Sequence, residues 1–136
     1  MERKLTVGEF MGASLVTFTP DQEIRDAIQV LLENKLSGSP VMDKRGNMVG
    51  YLSEKDCLKV ALNAAYHDFW GGKVSDFMVP NVVTVDLDTN MIDLAEKFVK
   101  APYKRYPVVK DNRLVGQIHR RDVLRALLVA WSKWGH

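Results

Sequence analysis

Residues 115–128 read VGQIHRRDVLRALL, and residues 49–62 read VGYLSEKDCLKVAL. In both stretches an apolar run typical of a strand leads directly into an amphipathic run typical of a helix. The two stretches align without a gap at an offset of 66 residues. The matched identical residues are Val49 with Val115, Gly50 with Gly116, Asp56 with Asp122, Leu58 with Leu124 and Leu62 with Leu128. The same strand-to-helix junction therefore occurs twice in one chain, which indicates an internal repeat.

The repeat continues upstream of the junction at an offset of 67 residues. Matching residues there are Val7 with Val74, Phe10 with Phe77, Met11 with Met78, Pro40 with Pro107 and Val41 with Val108. The offset changes because the turn DKRGN of the first half is one residue longer than the turn KDNR of the second. The apolar spacing i, i+3, i+4, i+7 also recurs, beginning at Ile24 and again at Met91, and predicts an amphipathic helix in each half.

Each half therefore reads strand, helix, strand, strand, helix. The strands are predicted near Leu15–Phe18, Gly38–Met42, Met48–Leu52, Val82–Val85, Tyr106–Val109 and Leu114–Ile118. The helices are predicted near Glu23–Asn34, Glu54–Tyr66, Met91–Lys100 and Arg120–Trp131. Gly71 and Gly72 break regular structure, so we place a linker at 67–73 between a module at 1–66 and a module at 74–136. A unit of about 55–60 residues is marginally stable alone. We therefore predict an α+β fold in which two β-α-β-β-α modules pack with pseudo-twofold symmetry.

The composition is that of an ordinary globular domain. The chain has 136 residues and a formal net charge of +2, which is too small to favour a nucleic-acid partner. Cys57 is the only cysteine, so neither an internal disulfide nor a cysteine metal cluster is possible, and we expect a cytoplasmic protein without a metal. The N-terminus has no apolar signal core, and the longest apolar run, at 126–131, is too short to insert into a membrane.

The charge is distributed unevenly between the halves. Residues 1–72 carry 8 basic and 10 acidic side chains, whereas residues 73–136 carry 11 basic and 7 acidic ones. The start of a helix leaves unpaired backbone N–H groups and a partial positive charge, which favours phosphate. A first-turn carboxylate such as Asp122 adds two hydrogen-bond acceptor oxygens. We therefore expect any anion-binding preference to lie in the second half.

Several fragments occur in the same order in both halves and resemble a known family. They are VGEFMGASLVTF, SGSPVMD and GYLSEKDCL in the first half and VSDFMVPNVVTV, YPVVKD and GQIHRRDVL in the second. Both halves resemble CBS domains, the small modules named after cystathionine β-synthase, and together they resemble a CBS pair. The resemblance implies adenosine-containing ligands in clefts between the modules. It also implies regulation of an enzyme, channel or transporter, and frequent dimerisation.

The same resemblance implies which residues contact the ligand. Asp56 and Asp122 match the family's ribose-binding aspartate, and Ser53 matches a Ser or Thr that contacts phosphate or ribose. From the residues alone, Ser53 is favoured instead as the N-cap of the following helix, with Asp56 near position N3. The two interpretations are compatible, because one hydroxyl can change partners.

The second half lacks this hydroxyl, because His119 stands where Ser53 stands. His119 can still donate to phosphate beside Arg120 and Arg121, although the two arginines could equally form a solvated helix face. By resemblance, the loop before the proline and an upstream threonine also line the cleft. These residues are Lys104, Arg105, Tyr106 and Thr84 in the second half, and Ser37, Gly38 and Thr17 in the first. Strand propensity alone also explains the two threonines.

Two functions stay open from the sequence. The first is a stand-alone regulatory CBS pair that binds AMP, ADP or ATP and signals to an unknown partner protein. S-adenosylmethionine is disfavoured as the ligand, because the basic cluster suits phosphate. The second is a ligand-free dimeric protein-interaction module. Both predict a homodimer, and neither predicts an enzyme, because no nucleophile–base pair or carboxylate pair stands out.

Overall fold

The computed structural model describes residues 5–12, 15–68 and 70–133, the last residue by its backbone only. The helices in this part of the chain are α1 (Val7–Phe10), α2 (Ile24–Glu33), α3 (Glu54–His67), α4 (Val74–Phe77), α5 (Met91–Lys100) and α6 (Arg120–Lys133). The strands are β1 (Gly38–Met42), β2 (Met48–Ser53), β3 (Val85–Asp86), β4 (Arg105–Lys110) and β5 (Arg113–His119). Two compact units result. The N-half unit comprises residues 16–82, and the C-half unit comprises the described residues up to Leu15 and those from Val83 onward.

The N-half unit is built on the antiparallel pair β1–β2, in which Gly38 lies opposite Ser53. Phe18 adds a single parallel bridge to Val41. The apolar positions of α2 and α3 that recur every three or four residues are buried against these strands. The core residues are Phe18, Ile24, Ala27, Leu31, Val41, Leu52, Cys57, Val60 and Val74.

The C-half unit repeats this plan with a three-stranded sheet in the order β3-β4-β5. β3 runs parallel to β4, and β4 runs antiparallel to β5. Helix α5 begins where the side chain of Asn90 accepts a hydrogen bond from the N–H of Ile92, and it ends two residues before Pro102. The core residues are Leu5, Val7, Val85, Met91, Leu94, Phe98, Tyr106, Val108, Ile118, Val123, Ala126 and Ala130.

The compact units do not coincide with the two halves of the sequence repeat. In the C-half unit, Gly12 exchanges two backbone hydrogen bonds of 3.0 Å with Gln117 of β5. In the N-half unit, Val79 exchanges two of 2.9 Å with Tyr51 of β2. Each short helix at the start of a repeat therefore belongs to the unit formed by the other repeat.

Because of this exchange, the boundaries expected at 1–66, 67–73 and 74–136 are boundaries of the sequence repeats and do not coincide with those of the compact units. Val74 is fully buried in the core of the N-half unit, and the N–H of Val74 donates to the carbonyl of Gln22 over 2.9 Å. The segment 67–73, without the undescribed residue 69, accordingly lies within the N-half unit rather than between units. The expected boundaries divide the sequence repeats and stay a prediction in that sense.

The helices and strands of the repeat agree closely with the prediction, with two kinds of difference. Helices α1 and α4 were not expected, because four residues are too few to show a helical period. The first strand of each half is shorter than expected. The strand expected near Leu15–Phe18 is reduced to the bridge at Phe18, and the one near Val82–Val85 is the two-residue β3.

Candidate functional site

The C-half unit brings most of its predicted ligand residues to one end of its sheet. β4 begins at Arg105 and β5 ends at His119, and these two residues are direct partners in the antiparallel ladder. Helix α6 follows β5 without a gap, and the N–H of Arg120 donates to the carbonyl of Lys104 over 3.0 Å. The loop before β4 and the first turn of α6 are therefore held side by side. We call this end of the unit the basic junction, comprising residues 104–105 and 119–122.

Thr84 lies at the same end of the sheet. It directly precedes β3, in which Val85 lies opposite Val108 in a parallel register. Since parallel strands begin at the same edge, Thr84 lies beside the first residues of β4. Its side chain is half-buried. The structure thus places this threonine at the same end of the sheet as the basic junction.

Asp122 is anchored in the first turn of α6. Its Oδ2 accepts a hydrogen bond of 2.9 Å from the backbone N–H of His119, and its Oδ1 lies 3.1 Å from the Nη2 of Arg125. The carboxylate is 17% exposed, whereas the Arg125 side chain is 60% exposed. An exposed ion pair of this kind contributes little, about 0–1 kcal/mol. A ribose hydroxyl can therefore replace Arg125 at Oδ1 without leaving a charge buried.

Most cations of the basic junction have no carboxylate partner in the part of the chain that the structure describes. Among the described residues, Lys104, Arg105, Arg120 and Arg121 form no ion pair. Arg105 is half-buried, its Nη1 lies 3.4 Å from the Oε1 of Gln117, and its Nε is buried without a hydrogen-bond partner within the described chain. A buried donor without an acceptor is unfavourable. The junction therefore has unused capacity for an anion.

His119 responds to this positive field. Burial, and then the charges of Arg105 and Arg121, lower the pKa of the His119 imidazole, while Asp122 raises it and Arg120 lowers it further. The neutral imidazole is accordingly the favoured form near neutral pH. Arg120 and Arg121 are both exposed, as expected for a solvated helix face. A solvated helix face and a phosphate-binding site both require exposed side chains. The exposure of the two arginines is therefore compatible with either interpretation.

The equivalent junction of the N-half unit is neutral to acidic and is closed by a complete capping box. The hydroxyl of Ser53 accepts from the N–H of Asp56 over 3.1 Å and donates to the Oδ2 of Asp56 over 2.7 Å. The same Oδ2 accepts from the N–H of Ser53 over 3.1 Å. This geometry confirms the N-cap interpretation of Ser53. We call this site, comprising residues 37–38 and 53–56, the capped junction.

The strands close around the capped junction as they do in the other unit. The N–H of Glu54 donates to the carbonyl of Ser37 over 2.9 Å, which matches the bond between Arg120 and Lys104. Gly38 is buried and pairs with Ser53. Thr17 is exposed and directly precedes the bridge at Phe18. All five ligand residues predicted in this half thus belong to one compact unit.

Two buried hydroxyl groups occupy equivalent positions, one residue before each proline. Ser39 is fully buried and Tyr106 is 1% exposed, and neither hydroxyl has a hydrogen-bond partner within the described residues. The Tyr106 ring packs against Phe98 with 4.8 Å between ring centroids. Burial, and then the neighbouring Tyr103, raise the pKa of Tyr106. The side chain of Tyr106 is thus a core residue, in contrast to the other predicted ligand residues of its loop.

Sequence reasoning missed one pair of residues. Lys59 and Arg125 stand at equivalent positions, three residues after the two aspartates, and their nitrogens lie 3.9 and 3.1 Å from Asp56 and Asp122. The signal was present, because a cation at i+3 from a carboxylate on a helix is a recognised pair. These cations are the ion-pair partners of the two aspartates.

A further depression of 490 Å³ lies on the outer side of α2 and contains none of the predicted ligand residues. It is lined by Glu23, Arg25, Asp26, Ile28, Gln29, Leu32 and Trp70. Its lining contains charged and apolar side chains, and Arg25 is the one basic residue among those named. We assign the candidate site to the junctions, because hydrogen-bonding groups converge there.

The model of the CBS domain family matches residues 7–63 and 74–129. The chain belongs to the CBS domain family. Both repeats are therefore CBS domains, as the resemblance indicated, and the mixed α/β architecture agrees with solved CBS pairs.

Several CBS proteins are similar to this chain over most of its length. CBSX1 of Arabidopsis thaliana, described as chloroplastic, is 32% identical over 151 aligned residues, which cover 90% of this chain and 64% of that protein. CBSX2 of the same plant is 29% identical, covering 90% of this chain and 63% of that protein. The chain thus spans less than two thirds of the length of these two relatives.

Solved structures of CBSX2 resemble the chain in fold as well. One, from Arabidopsis thaliana, has a TM-score of 0.81 at 32% identity and covers 96% of this chain and 99% of that chain. Another is CBSX2 in complex with AMP, with a TM-score of 0.78 at 33% identity, covering 91% of this chain and 96% of that chain.

Neither a metal cluster nor a membrane helix is found in the described part of the chain. No group of three or more His, Cys, Asp or Glu side chains is placed there to hold a metal ion. No helix among those residues is long and apolar enough to cross a bilayer.

Proposed function

We propose that this CBS pair is a regulatory module that binds an adenosine nucleotide, AMP, ADP or ATP, at the basic junction. The observation that carries the proposal is the arrangement around Asp122. A first-turn carboxylate paired only with an exposed arginine lies beside four cations that form no ion pair among the described residues. The complex of CBSX2 with AMP supports an adenosine ligand. As a CBS pair related to CBSX proteins, the chain is a binding module and not an enzyme.

The ribose is assigned to Asp122. Its two carboxylate oxygens can accept from the two neighbouring hydroxyls of a ribose, and each hydrogen bond to a charged group contributes about 1.5–3 kcal/mol. Thr84 is the second candidate for a contact to the nucleoside. The Asp122 oxygens are held in place by the N–H of His119, so the acceptor is already oriented before the ligand arrives.

The phosphate is assigned to the start of α6. The helix dipole favours an anion there, and Arg105, Arg120 and His119 supply donors around it. The guanidinium of Arg105 provides the planar fork that suits phosphate, and its buried Nε has no acceptor within the described residues. A Kd in the micromolar range, equivalent to about −8 kcal/mol, is expected.

The experiment is calorimetric titration of the purified chain with AMP, ADP and ATP. Asp122→Ala should weaken binding by about 10-fold or more, because at least one bond of about 1.5 kcal/mol is lost. Asp93→Ala is the matched control, because Asp93 is an exposed aspartate in the first turn of α5 and should leave the affinity unchanged. Absence of heat and of thermal stabilisation with every nucleotide would overturn the proposal.

We also propose a homodimer that signals to a partner protein. Each unit exposes large apolar side chains on its paired helices, which is unusual for a helix face that stays in water. They are Leu32, Leu58, Leu62 and Tyr66 in the N-half unit and Val99, Leu124, Leu128 and Trp131 in the C-half unit. A bound nucleotide can act on a partner only if the partner distinguishes the free from the bound state.

The same apolar faces also favour the second candidate, a ligand-free dimeric interaction module. The variant Asp122→Ala distinguishes the nucleotide-binding module from the ligand-free module. If that variant changes neither nucleotide response nor partner binding, the ligand-free module is the better description. The cytoplasmic location stays a prediction, and the relatives described as chloroplastic do not support it.

A further inference from the structure

The two junctions of the chain carry opposite charge at equivalent positions. The basic junction comprises Lys104, Arg105, His119, Arg120, Arg121 and Asp122, and the capped junction has Ser37, Gly38, Ser53, Glu54, Lys55 and Asp56 in the same places. With histidine neutral, the first set sums to +3 and the second to −1. The backbone geometry is nonetheless the same, because the bond between Arg120 and Lys104 matches the bond between Glu54 and Ser37. Charge, and not fold, therefore distinguishes the two sites.

The capped junction leaves little attraction for an anion. The N–H of Asp56 is satisfied by Ser53, and the N–H of Ser53 is satisfied by Asp56. Glu54 and Asp56 both lie in the first turn of α3, where their negative charges offset the partial positive charge of the helix start. A phosphate placed there would lie beside the carboxylates of Glu54 and Asp56, and Lys59 is already paired with Asp56.

The position equivalent to Arg105 is also closed to a long cationic side chain. A Cβ built on Gly38 would lie 2.6 Å from Cε1 of Tyr51 and 3.0 Å from the backbone carbonyl of Leu52. The Tyr51 ring thus occupies the space next to Gly38. Tyr51 stands at the position of Gln117, the residue whose amide oxygen faces Arg105 in the other unit. Gly38 and Tyr51 in the N-half unit thus stand where the C-half unit has Arg105 and Gln117.

The capped junction retains the groups that bind a nucleoside. Asp56 keeps the carboxylate, whose Oδ1 lies 3.9 Å from the largely exposed Nζ of Lys59. Ser53 keeps a hydroxyl, which is a second group able to contact a nucleoside. The site therefore has partners for a ribose, and the net charge of −1 over its six residues disfavours a phosphate dianion.

Building on the proposed function, we infer that the two halves recognise different forms of adenosine. The basic junction takes the phosphorylated nucleotide, and the capped junction takes the uncharged nucleoside. One chain can then respond separately to the phosphorylated and the dephosphorylated ligand.

The test is calorimetry on the full chain with AMP and with adenosine, which differ only by the phosphate. Arg105→Gln should weaken AMP about 10-fold and change adenosine by less than about 2-fold, because it removes one charge-assisted contact to phosphate. Arg113→Gln is the matched control, because Arg113 begins β5 at the opposite end from His119 and should change neither affinity. Asp56→Asn should weaken adenosine about 10-fold and leave AMP unchanged, while Asp122→Asn should do the reverse.

A gain of binding provides a second test that does not depend on a buried residue. Glu54 is exposed and stands at the position of Arg120, so Glu54→Arg should allow AMP to bind the capped junction and raise the AMP stoichiometry from one towards two per chain. Glu33→Arg, at the exposed end of α2, is the control and should keep one AMP per chain.

The outcomes separate this inference from the proposed function. If AMP and adenosine both bind, but Arg105→Gln weakens them equally or Asp122→Asn abolishes both, the division of ligands is wrong while the nucleotide-binding function stands. An unchanged AMP stoichiometry in Glu54→Arg also overturns the division. If neither ligand binds the unmodified chain, both proposals fail.

Discussion

At the scale of single residues, the chemistry of the basic junction centres on His119. The imidazole lies among Arg105 of β4 and Arg120, Arg121 and Asp122 of α6, and the net effect of burial and these charges is a lowered pKa. Since the folded pKa lies below the ordinary value of about 6.5, the unfolded chain binds more protons at this position. The stability that the neutral imidazole contributes is therefore present above about pH 6.5 and is lost as the pH falls towards the folded pKa.

A bound phosphate should reverse this effect. Its negative charge would raise the pKa of His119, so a proton is taken up on binding and the affinity for AMP increases as the pH falls from about 8 towards 6. The phosphate itself titrates near pH 6, so the ratio of affinities between the unmodified chain and His119→Asn is the quantity to follow. Calorimetry should show this ratio rising at lower pH. A ratio that is flat with pH would exclude contact between imidazole and phosphate.

The cap of α3 gives a second residue-scale prediction, on stability. Ser53→Ala removes the hydroxyl that accepts from the N–H of Asp56 and donates to its carboxylate, and should lower the free energy of unfolding by about 1 kcal/mol. Ser75→Ala is a suitable control, because Ser75 is exposed on α4. Urea denaturation measures both. Equal effects of the two substitutions would contradict the capping role.

At the scale of elements, a glycine on the last strand of each unit admits a segment from the other repeat. A Cβ on Gly116 would lie 2.6 Å from the backbone carbonyl of Gly12 and 2.7 Å from the Sδ of Met11. A Cβ on Gly50 would lie 2.5 Å from the Sδ of Met78. The segments after α1 and α4 approach β5 and β2 so closely that a side chain at either position would collide with them.

The two glycines should differ in their tolerance of alanine. Gly116→Ala meets a backbone atom and should destabilise the chain by about 1–3 kcal/mol, as overpacking does. Gly50→Ala meets the adaptable Met78 side chain at 2.5 Å and the backbone carbonyl of Val79 only at 3.0 Å, so a smaller loss of about 1 kcal/mol is expected. Thermal or urea unfolding of the two variants tests the order. The reverse order would mean that the segment after α1 does not dock on β5 in solution.

At the scale of the whole molecule, the repeat duplicates exposed apolar positions as well as buried ones. Leu58 is 63% exposed and its equivalent Leu124 is 71% exposed, although both belong to amphipathic helices. The amphipathic pattern alone would bury them. Two apolar surfaces of this kind on one chain are typical of an association site.

Replacing either leucine by a charged residue should therefore disrupt the homodimer that we propose. Leu124→Glu and Leu58→Glu are expected to shift the chain from dimer towards monomer in sedimentation velocity, because a buried unpaired carboxylate opposes association. Val83→Glu, an exposed apolar residue outside the helices, should leave the sedimentation coefficient unchanged. A monomeric unmodified chain would refute the dimer.

The sequence by itself determined the repeat, the regular elements and the first-turn chemistry. Helix α5 was predicted as Met91–Lys100 and is found there, because an amphipathic period and Pro102 are local signals. The capping box was readable for the same reason, since Ser53 and Asp56 lie three residues apart. Helical periods and caps depend on residues that are close together in the sequence, so the sequence alone is sufficient to predict them.

Only the tertiary structure decided which unit each repeated segment packs against. The segments VGEFM and VSDFM are near-copies, so the sequence does not say which half each one joins, and the structure shows that they are exchanged. It also pairs Arg105 with His119, 14 positions apart, and leaves Leu124 exposed on an amphipathic helix. These features depend on contacts between distant residues, and a local pattern that occurs twice is compatible with more than one such arrangement.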